Sequence, residues 1–272
     1  MSRRVTLAVI LAVAVGLPVL GQPPPPEEFI QGLSSETTTD LADALAREGY
    51  RLLGEYEYEA AQQYSDYAVR ANRVSFLGHW VVWRAQELMA EEWSEDGDLE
   101  ETIAGMLKQR EDNPDDVVAI FNGAIADEHA GKVAPAADAY QKLLVDFPEQ
   151  AVLHLRLGTV LSRLERYEES VDELEQALQL DAHLKEAFEP LAMGCLQLEH
   201  FDAAADAADK ALEVAPDSVQ LHHARAIIAA AQGQRTEAFG HVLEGNRIER
   251  SLPGLGHWLM SVWGVGATWG PV

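Results

Sequence analysis

The residues best suited to bind a metal ion are the acids of one short segment. Carboxylate oxygens are the ligands that calcium prefers, and the segment contains Glu91, Glu92, Glu95, Asp96, Asp98, Glu100 and Glu101. Gly97 suits the sharp turn of a helix-loop-helix calcium site, but such a loop needs Asp or Asn at 92 and 94 and Glu at 103. The chain has Glu92, Ser94 and Ile103 there. We therefore interpret the segment as a solvated acidic face and predict no metal site.

Histidine and cysteine are the other candidates for metal binding or nucleophilic chemistry. The nine histidines are scattered, and none stands in a His-Glu-x-x-His motif. His222 and His223 are adjacent, so they point to different sides of a helix. The single cysteine, Cys195, rules out an internal disulfide and is predicted to be a small buried residue. Zinc ligation and thiol catalysis are both disfavoured.

The chain shows no other sign of catalysis or of nucleic-acid binding. It contains no phosphate-binding loop, dinucleotide fingerprint or serine nucleophile motif. We therefore predict no cofactor and no enzymatic activity. The 272 residues include 20 Lys and Arg against 45 Asp and Glu, a net charge of −25. A nucleic-acid-binding surface needs a basic patch, which this composition does not supply.

The elements that would position functional residues follow a period of 34 residues. Pro114 and Pro148 are 34 residues apart, Pro216 follows after twice that distance, and Ala182 occupies the place between them. A fixed period of this length indicates an array of helical hairpins. The units that align without gaps are 117–150, 151–184 and 185–218. The units that follow the pattern less well are 42–75, 76–116 and 219–252.

Small residues mark the places where the two helices of each predicted hairpin cross. The eighth place of the aligned units holds Ala124, Gly158 and Ala192, and the twentieth holds Ala136, Ser170 and Ala204. Larger residues such as Tyr140 and Leu174 stand beside them, so that facing helices can interdigitate. We predict the turn inside each hairpin near Gly131, Glu165, Glu199 and Gly233.

Two places depart from the regular pattern. The unit 76–116 has seven extra residues, and its first helix is predicted to run long, through Trp80, Trp83 and Trp93. Pro190 falls inside a predicted helix, where it would remove a backbone hydrogen bond and cause a kink.

The pattern resembles the tetratricopeptide repeat family. That family has small residues at places 8, 20 and 27, an aromatic residue near place 17 and proline at place 32. In the third aligned unit these are Ala192, Ala204, Ala211, Phe201 and Pro216. The resemblance is specific over 117–218 and weaker over 219–252, where Arg225, Arg235 and Arg250 take places that are usually apolar, aromatic or proline. It implies an all-α fold, a right-handed superhelical array of helix-turn-helix repeats over residues 40–252.

The resemblance also places the partner-binding groove on the first helix of each hairpin. The predicted groove residues are Val118, Phe121, Ile125, His129, Leu155, Arg156, Thr159, Arg163, Met193 and Gln197. Such a groove suits an amphipathic helix or an extended apolar peptide, with Arg156 and Arg163 for acidic groups of the ligand. The alternative is that these residues pack on neighbouring units as the superhelix tightens.

The N-terminal residues are predicted to direct export. Arg3 and Arg4 precede an apolar run over 5–20, and cleavage is expected before Gln22, which makes 1–21 a signal peptide. The run is shorter than the roughly 20 residues of a membrane-spanning helix. We expect a periplasmic or secreted protein, with an uncleaved membrane anchor as the alternative. Residues 22–39 contain four consecutive prolines and then acids, which indicates a stiff linker.

The C-terminal residues 253–272 form a tail rich in glycine and tryptophan. The tail has no Lys, Arg, Asp or Glu and carries Trp258, Trp263 and Trp269. One hypothesis is that it covers the exposed end of the last repeat, which otherwise needs a polar cap. The other is that it docks on a partner or at a membrane interface, where tryptophan is favoured. Membrane contact is expected only through this tail or an uncleaved N-terminus.

Taken together, these patterns predict a non-catalytic exported scaffold or adaptor that binds a protein or peptide in its groove. Two alternatives remain at this point. One is an accessory domain or subunit of an envelope enzyme complex, and the other is a surface adhesion module that uses the tryptophan tail. The sequence predicts no oligomeric state.

Overall fold

The part of the chain that the structure describes consists of consecutive helices joined by short turns. The computed structural model describes residues 35–93 and 96–251, and these contain twelve α-helices, one short 3₁₀-helix and no strand. The α-helices are α1 Ser35–Leu53, α2 Tyr58–Ala71, α3 Phe76–Trp93, α4 Asp96–Asp112, α5 Val117–His129, α6 Val133–Asp146, α7 Ala151–Arg163, α8 Tyr167–Leu180, α9 Phe188–Gln197, α10 Phe201–Val214, α11 Val219–Ala231 and α12 Arg235–Ser251. The predicted all-α fold is confirmed. No helix among these residues is long and apolar enough to cross a membrane.

The chain divides into two compact units between Leu153 and His154, which we call the first and the second unit. In the first unit α1 packs on α2, α3 on α4 and α5 on α6. In the second unit α9 packs on α10 and α11 on α12, and α7 crosses α8 at Gly158. Consecutive helices therefore pair as hairpins, as the 34-residue period predicts.

The turns inside five of the hairpins each contain one residue with a left-handed backbone. Positive φ angles occur at Tyr56, Gly131, Glu165, Glu199 and Gly233, and the last four are the residues predicted from the sequence. At the third of these turns the N–H of Arg166 donates to the carbonyl of Leu161 over 3.0 Å. A bond of this kind after a left-handed residue satisfies a carbonyl at the helix end that would otherwise have no partner. Glycine adopts this backbone without strain, whereas Glu165 and Glu199 adopt it at a cost.

The recurring prolines belong to the turns between hairpins. The N–H of Asp116 donates to the carbonyl of Asn113 over 3.1 Å, and that of Ser218 donates to the carbonyl of Ala215 over 3.1 Å. Pro114 and Pro216 are the second residues of these four-residue turns, where their fixed φ is favourable. The 34-residue period of proline is thus a period of turns between hairpins.

A cluster of aromatic side chains lies in the core of the first unit. The Phe76 ring lies 5.0 Å from the Phe121 ring and 5.2 Å from the Phe147 ring, and Phe121 lies 5.9 Å from Tyr140. The buried hydroxyl of Tyr140 donates to Glu128 over 2.5 Å, so the buried polar atom is satisfied. α3 runs for 18 residues, which confirms the long first helix predicted for the irregular unit.

Small residues let the helices of the second unit approach closely. A Cβ atom on Gly158 would lie 2.6 Å from the side chain of Leu174 and 3.1 Å from the carbonyl oxygen of Ser170. The Ser170 hydroxyl donates to the carbonyl of Gly158 over 2.7 Å. In the next hairpin, α10 buries four alanines on one side, Ala204, Ala207, Ala208 and Ala211. The small residues predicted at the helix crossings therefore lie at close contacts between helices, as expected.

Two boundaries differ from those predicted. α1 begins at Ser35, so residues 35–39 belong to the first helix and not to the linker. A 3₁₀-helix, Lys185–Ala187, precedes α9, and Pro190 is the third residue of α9. Backbone N–H groups in the first turn of a helix need no partner within it. Pro190 therefore stands where proline is tolerated, and the predicted kink inside the helix is wrong.

Candidate partner-binding surfaces

Four of the predicted groove residues belong to the core. Val118, Phe121, Ile125 and Leu155 are all buried, and Phe121 and Ile125 have almost no exposed surface. In the first unit the first helices of successive hairpins contact each other, α3 with α5. Side chains predicted to line a groove there are covered, as the contact of Phe121 with Phe76 shows. This corrects the predicted set, because a partner cannot reach these four side chains while the helices stay packed.

In the first unit the remaining predicted residue, His129, is part of a polar chain. Its Nδ1–H donates to Oε1 of Glu87 over 3.2 Å, and its ring meets that of Trp83 edge-on at 5.5 Å between centroids. The guanidinium of Arg84 donates to the other oxygen of Glu87. The chain joins α3 to α5 and is half-exposed, so it offers a ligand several oriented polar groups. Sequence reasoning missed Arg84 and Glu87, because 42 residues separate Glu87 from His129.

In the second unit the predicted residues other than Leu155 are exposed or half-buried. Arg163, Met193 and Gln197 are exposed, whereas Arg156 and Thr159 are half-buried. The hydroxyl of Thr159 donates to the carbonyl of Leu155 within its own helix over 2.8 Å. Because the hydroxyl already donates this bond within the helix, the methyl group of Thr159 is the part of the side chain that is available to contact a ligand.

One exposed apolar residue that the sequence reasoning missed stands beside them. Ile227 is 43% exposed and Met193 is 37% exposed, and the two residues are 34 positions apart on α11 and α9, which contact each other. Ile227 was not included because the family pattern is weak over 219–252. Adding one period to Met193 would have found it. The two helices thus each expose one apolar side chain at the equivalent place of the repeat.

Glu189 lies one helical turn before Met193 on α9. The residue is exposed as a whole, yet desolvation by the surrounding protein raises the pKa of its carboxyl. We call Glu189, Met193, Gln197 and Ile227 the α9–α11 surface.

Comparison with known proteins agrees with this geometry. A family model described as a tetratricopeptide repeat matches residues 151–183, which include all of α7 and α8. A crystal structure of MamA is 18% identical over 60% of this chain and 95% of its own, with a TM-score of 0.50. A structure described as MamA MSR-1 C2 is 20% identical over 63% of this chain and 98% of its own, also with a TM-score of 0.50. No curated protein matches the chain in sequence.

Residues 151–183 match the tetratricopeptide repeat family, and the described part of the chain has the fold of such repeats. At these identities the likeness to the solved structures establishes the fold alone. The fold is that of a scaffold for protein–protein interaction, since repeat arrays offer extended surfaces to a partner. Among the described side chains on the first helices of this fold, the large apolar ones that are exposed are Met193 and Ile227 of the α9–α11 surface.

The weakest tetratricopeptide unit, 219–252, contains an unusual buried polar cluster. Arg225 is buried, and it contacts Asp209 over 2.7 Å and Glu237 over 2.5 Å. Nε2–H of His222 donates to the carbonyl of Pro216 over 2.9 Å, so its Nδ1 accepts from Nδ1–H of His241 over 3.0 Å. An arginine therefore stands at a place that is usually apolar because two carboxylates compensate its charge.

The other candidates for chemistry gain no support within the tetratricopeptide fold. Cys195 is buried, and desolvation followed by the charge of Glu175 raises the pKa of its thiol, which disfavours the reactive thiolate. Among residues 35–93 and 96–251, no three His, Cys, Asp or Glu side chains are arranged to hold a metal ion. Ser94 and Glu95 of the acidic segment lie outside the described residues, as do the signal peptide 1–21 and the tail with Trp258, Trp263 and Trp269.

Proposed function

We propose that this protein is a non-catalytic scaffold or adaptor that binds a protein or peptide segment on the first helices of its second unit. The observation that carries the proposal is the α9–α11 surface, where Met193 and Ile227 are exposed at equivalent places of contacting helices. Exposed apolar side chains that adjoin one another are typical of interaction sites. The surface offers a contact for an apolar side chain of the partner.

The carboxyl of Glu189 adds a charge requirement to this contact. Because desolvation raises its pKa, a cationic group close to it would be favourable. We therefore propose a partner segment that places an apolar residue against Met193 and Ile227 and a lysine or arginine near Glu189. Gln197, two turns further along α9, would bond to polar backbone or amide groups of the same segment.

A peptide-display selection on the purified full chain tests the proposal. Enriched peptides are expected to combine an apolar residue with a nearby basic residue. The double variant Met193→Glu/Ile227→Glu should lose these peptides, since a charge would face an apolar group. The matched control, Val145→Glu/Val214→Glu, alters two exposed apolar residues on second helices and should retain them. Equal enrichment by wild type and Met193→Glu/Ile227→Glu would refute the α9–α11 surface as the binding site.

We also propose that the protein is exported. The support is the order of Arg3 and Arg4, the apolar run 5–20 and the acidic remainder of the chain. Fractionation of cells that express the full gene, with N-terminal sequencing of the product, tests this directly. A soluble envelope or secreted product that begins at Gln22 is expected. A membrane-bound product that retains residues 1–21 would favour the N-terminal anchor instead.

A further inference from the structure

The last helix presents an apolar face that nothing among the described residues covers. On α12, Phe239 is 63% exposed, Val242 is 38% exposed and Leu243 is 53% exposed. Residues three and four apart share one side of a helix, so the three form a single patch. We call Phe239, Val242 and Leu243 the α12 patch.

Equivalent places in an earlier hairpin of the second unit show what such a face normally contacts. Val171 and Leu174 on α8 correspond to Phe239 and Val242, and both are buried. A Cβ atom on Gly194 of α9 would lie 3.0 Å from Val171, so the first helix of the next hairpin covers the Val171 side of this face, whereas Leu174 packs on Gly158 of its own hairpin. Phe239 of the α12 patch thus stands at the place on which a further first helix would pack.

The third residue of the patch departs from the other hairpins. The places equivalent to Leu243 are Glu175 on α8 and Asp209 on α10, and both are exposed acids. A leucine there widens the apolar face beyond what the repeat pattern requires. The patch is therefore suited to a more apolar occupant than an ordinary repeat helix.

We propose that the occupant is the chain's own tail, residues 253–272, folded back on α12 in place of a further hairpin. Pro253, Gly254 and Gly256 follow directly after the last turn of α12 and supply a reversal. Beyond them, Trp258, Leu259, Val262 and Trp263 share one side of a helix by their spacing. These side chains are apolar, as are those of the α12 patch, so the two surfaces can pack against each other.

Length and charge both permit this occupant. Phe239 lies twelve residues before Ser251, which is about 18 Å along a helix. The 20 residues of the tail would span about 30 Å even if they were fully helical. The tail has no charged residue, in a chain with a net charge of −25, so apolar contact is its main means of stabilisation. The tail is therefore long enough, and of suitable composition, to cover the patch.

Disulfide trapping in the full chain tests the contact. In a Cys195→Ser background, Val242→Cys with Val262→Cys should form an intramolecular disulfide under mild oxidation. The control pair Val214→Cys with Val262→Cys uses an exposed valine of α10 instead and should not. Disulfides between two chains would show that a second copy occupies the patch and would overturn the proposal. Equal trapping by both pairs, or by neither, would also overturn it.

Hydrogen exchange provides a second test that does not depend on new cysteines. The full-length variant Trp258→Ser/Trp263→Ser should exchange the amides of α12 faster by about tenfold, because an uncovered terminal helix opens more readily. Trp269→Ser alters a tryptophan outside the proposed contact and should leave α12 unchanged. Unchanged exchange in the double variant would contradict the proposal. Neither test requires a bound partner, so either can fail without affecting the proposed scaffold function.

Discussion

Two hairpins of the second unit are built on the same 34-residue plan with opposite interior chemistry. In the hairpin of α7 and α8, which we call the regular hairpin, Leu157 and Leu174 are buried among other apolar groups. In the last hairpin, of α11 and α12, the equivalent places hold buried Arg225 and half-exposed Val242. Small residues at the helix crossings are common to both hairpins. The interior places around the crossings can hold either apolar or charged side chains. From this difference we predict that the regular hairpin is less sensitive to acid, and that the stability of the last hairpin depends on what packs against α12.

The largest effect is expected from the apolar interior of the regular hairpin. Leu174→Ala removes a fully buried side chain packed against Gly158 and should lower the free energy of unfolding by about 3 kcal/mol. Urea unfolding followed by circular dichroism measures this loss. Glu175→Ala, at an exposed neighbouring position, is the control and should change it by less than about 0.5 kcal/mol. Similar losses in both variants would mean that the hairpin core is not where the structure places it.

A smaller effect is expected at the buried arginine of the last hairpin. Arg225→Ala should cost about 2 kcal/mol, because it leaves a cavity and removes the partner of Asp209 and Glu237. Both carboxylates are partly exposed, so water compensates much of the lost pairing. Arg225→Met keeps the volume and should therefore cost less than half as much in the same urea titration. Equal losses for Met and Ala would show that the ion pairs, and not packing, stabilise the hairpin.

Acid should weaken the last hairpin more than the regular one. Burial lowers the pKa of His241, and the charges of Arg225 and His222 lower it further, against the opposing effect of Glu237 and Asp209. The neutral imidazole is thus favoured in the folded state, and the unfolded chain binds a proton at higher pH. The contribution of His241 to stability is fully present above the usual pKa of histidine, about 6.5. This contribution is lost as the pH falls below that value toward the pKa of His241 in the folded protein.

His241→Gln is the variant that isolates this effect. The loss of stability between pH 7 and pH 5 should be smaller in the variant than in the wild type, by an amount that solvent screening of the partly exposed imidazole keeps modest. Burial also lowers the pKa of His79 in the first unit, so part of the acid sensitivity will remain. Identical pH dependence of wild type and variant would remove His241 as a source of acid sensitivity.

The smallest effects are expected at the turns inside the two hairpins. Glu165 and Gly233 both have a positive φ, 59° and 77°. Glu165→Gly should stabilise the protein by about 0.5 kcal/mol, because it relieves the strain of a left-handed non-glycine residue. Gly233→Ala should destabilise it by about 1 kcal/mol through the backbone alone, since an added Cβ would contact nothing within 4 Å. Melting temperatures that shift in the same direction for both variants would contradict this account.

The hairpins were predictable from the sequence because local sterics determine them. Gly158 and Ser170 must be small where α7 and α8 cross, and Gly131 and Gly233 suit left-handed turns, so a fixed spacing reveals both. The degree of contact between successive first helices is not a local property. The burial of Phe121 and Ile125 was missed for that reason, because a residue's place in the repeat does not state how closely the next hairpin approaches.

The candidate site was predictable only in part. Met193 and Gln197 were found through their places in the repeat, and Ile227 was missed although it stands one period later. The raised pKa of Glu189 depends on how many protein atoms surround its carboxyl. That number follows from three-dimensional packing, and no sequence motif contains it.

Hydrogen exchange of the full chain with a display-selected peptide tests the central claim most directly. The proposed scaffold function predicts slower exchange in α9 and α11, with the effect lost in Met193→Glu/Ile227→Glu and retained in Val145→Glu/Val214→Glu. Protection confined to the second helices α8 and α10, or protection that survives Met193→Glu/Ile227→Glu, would contradict it.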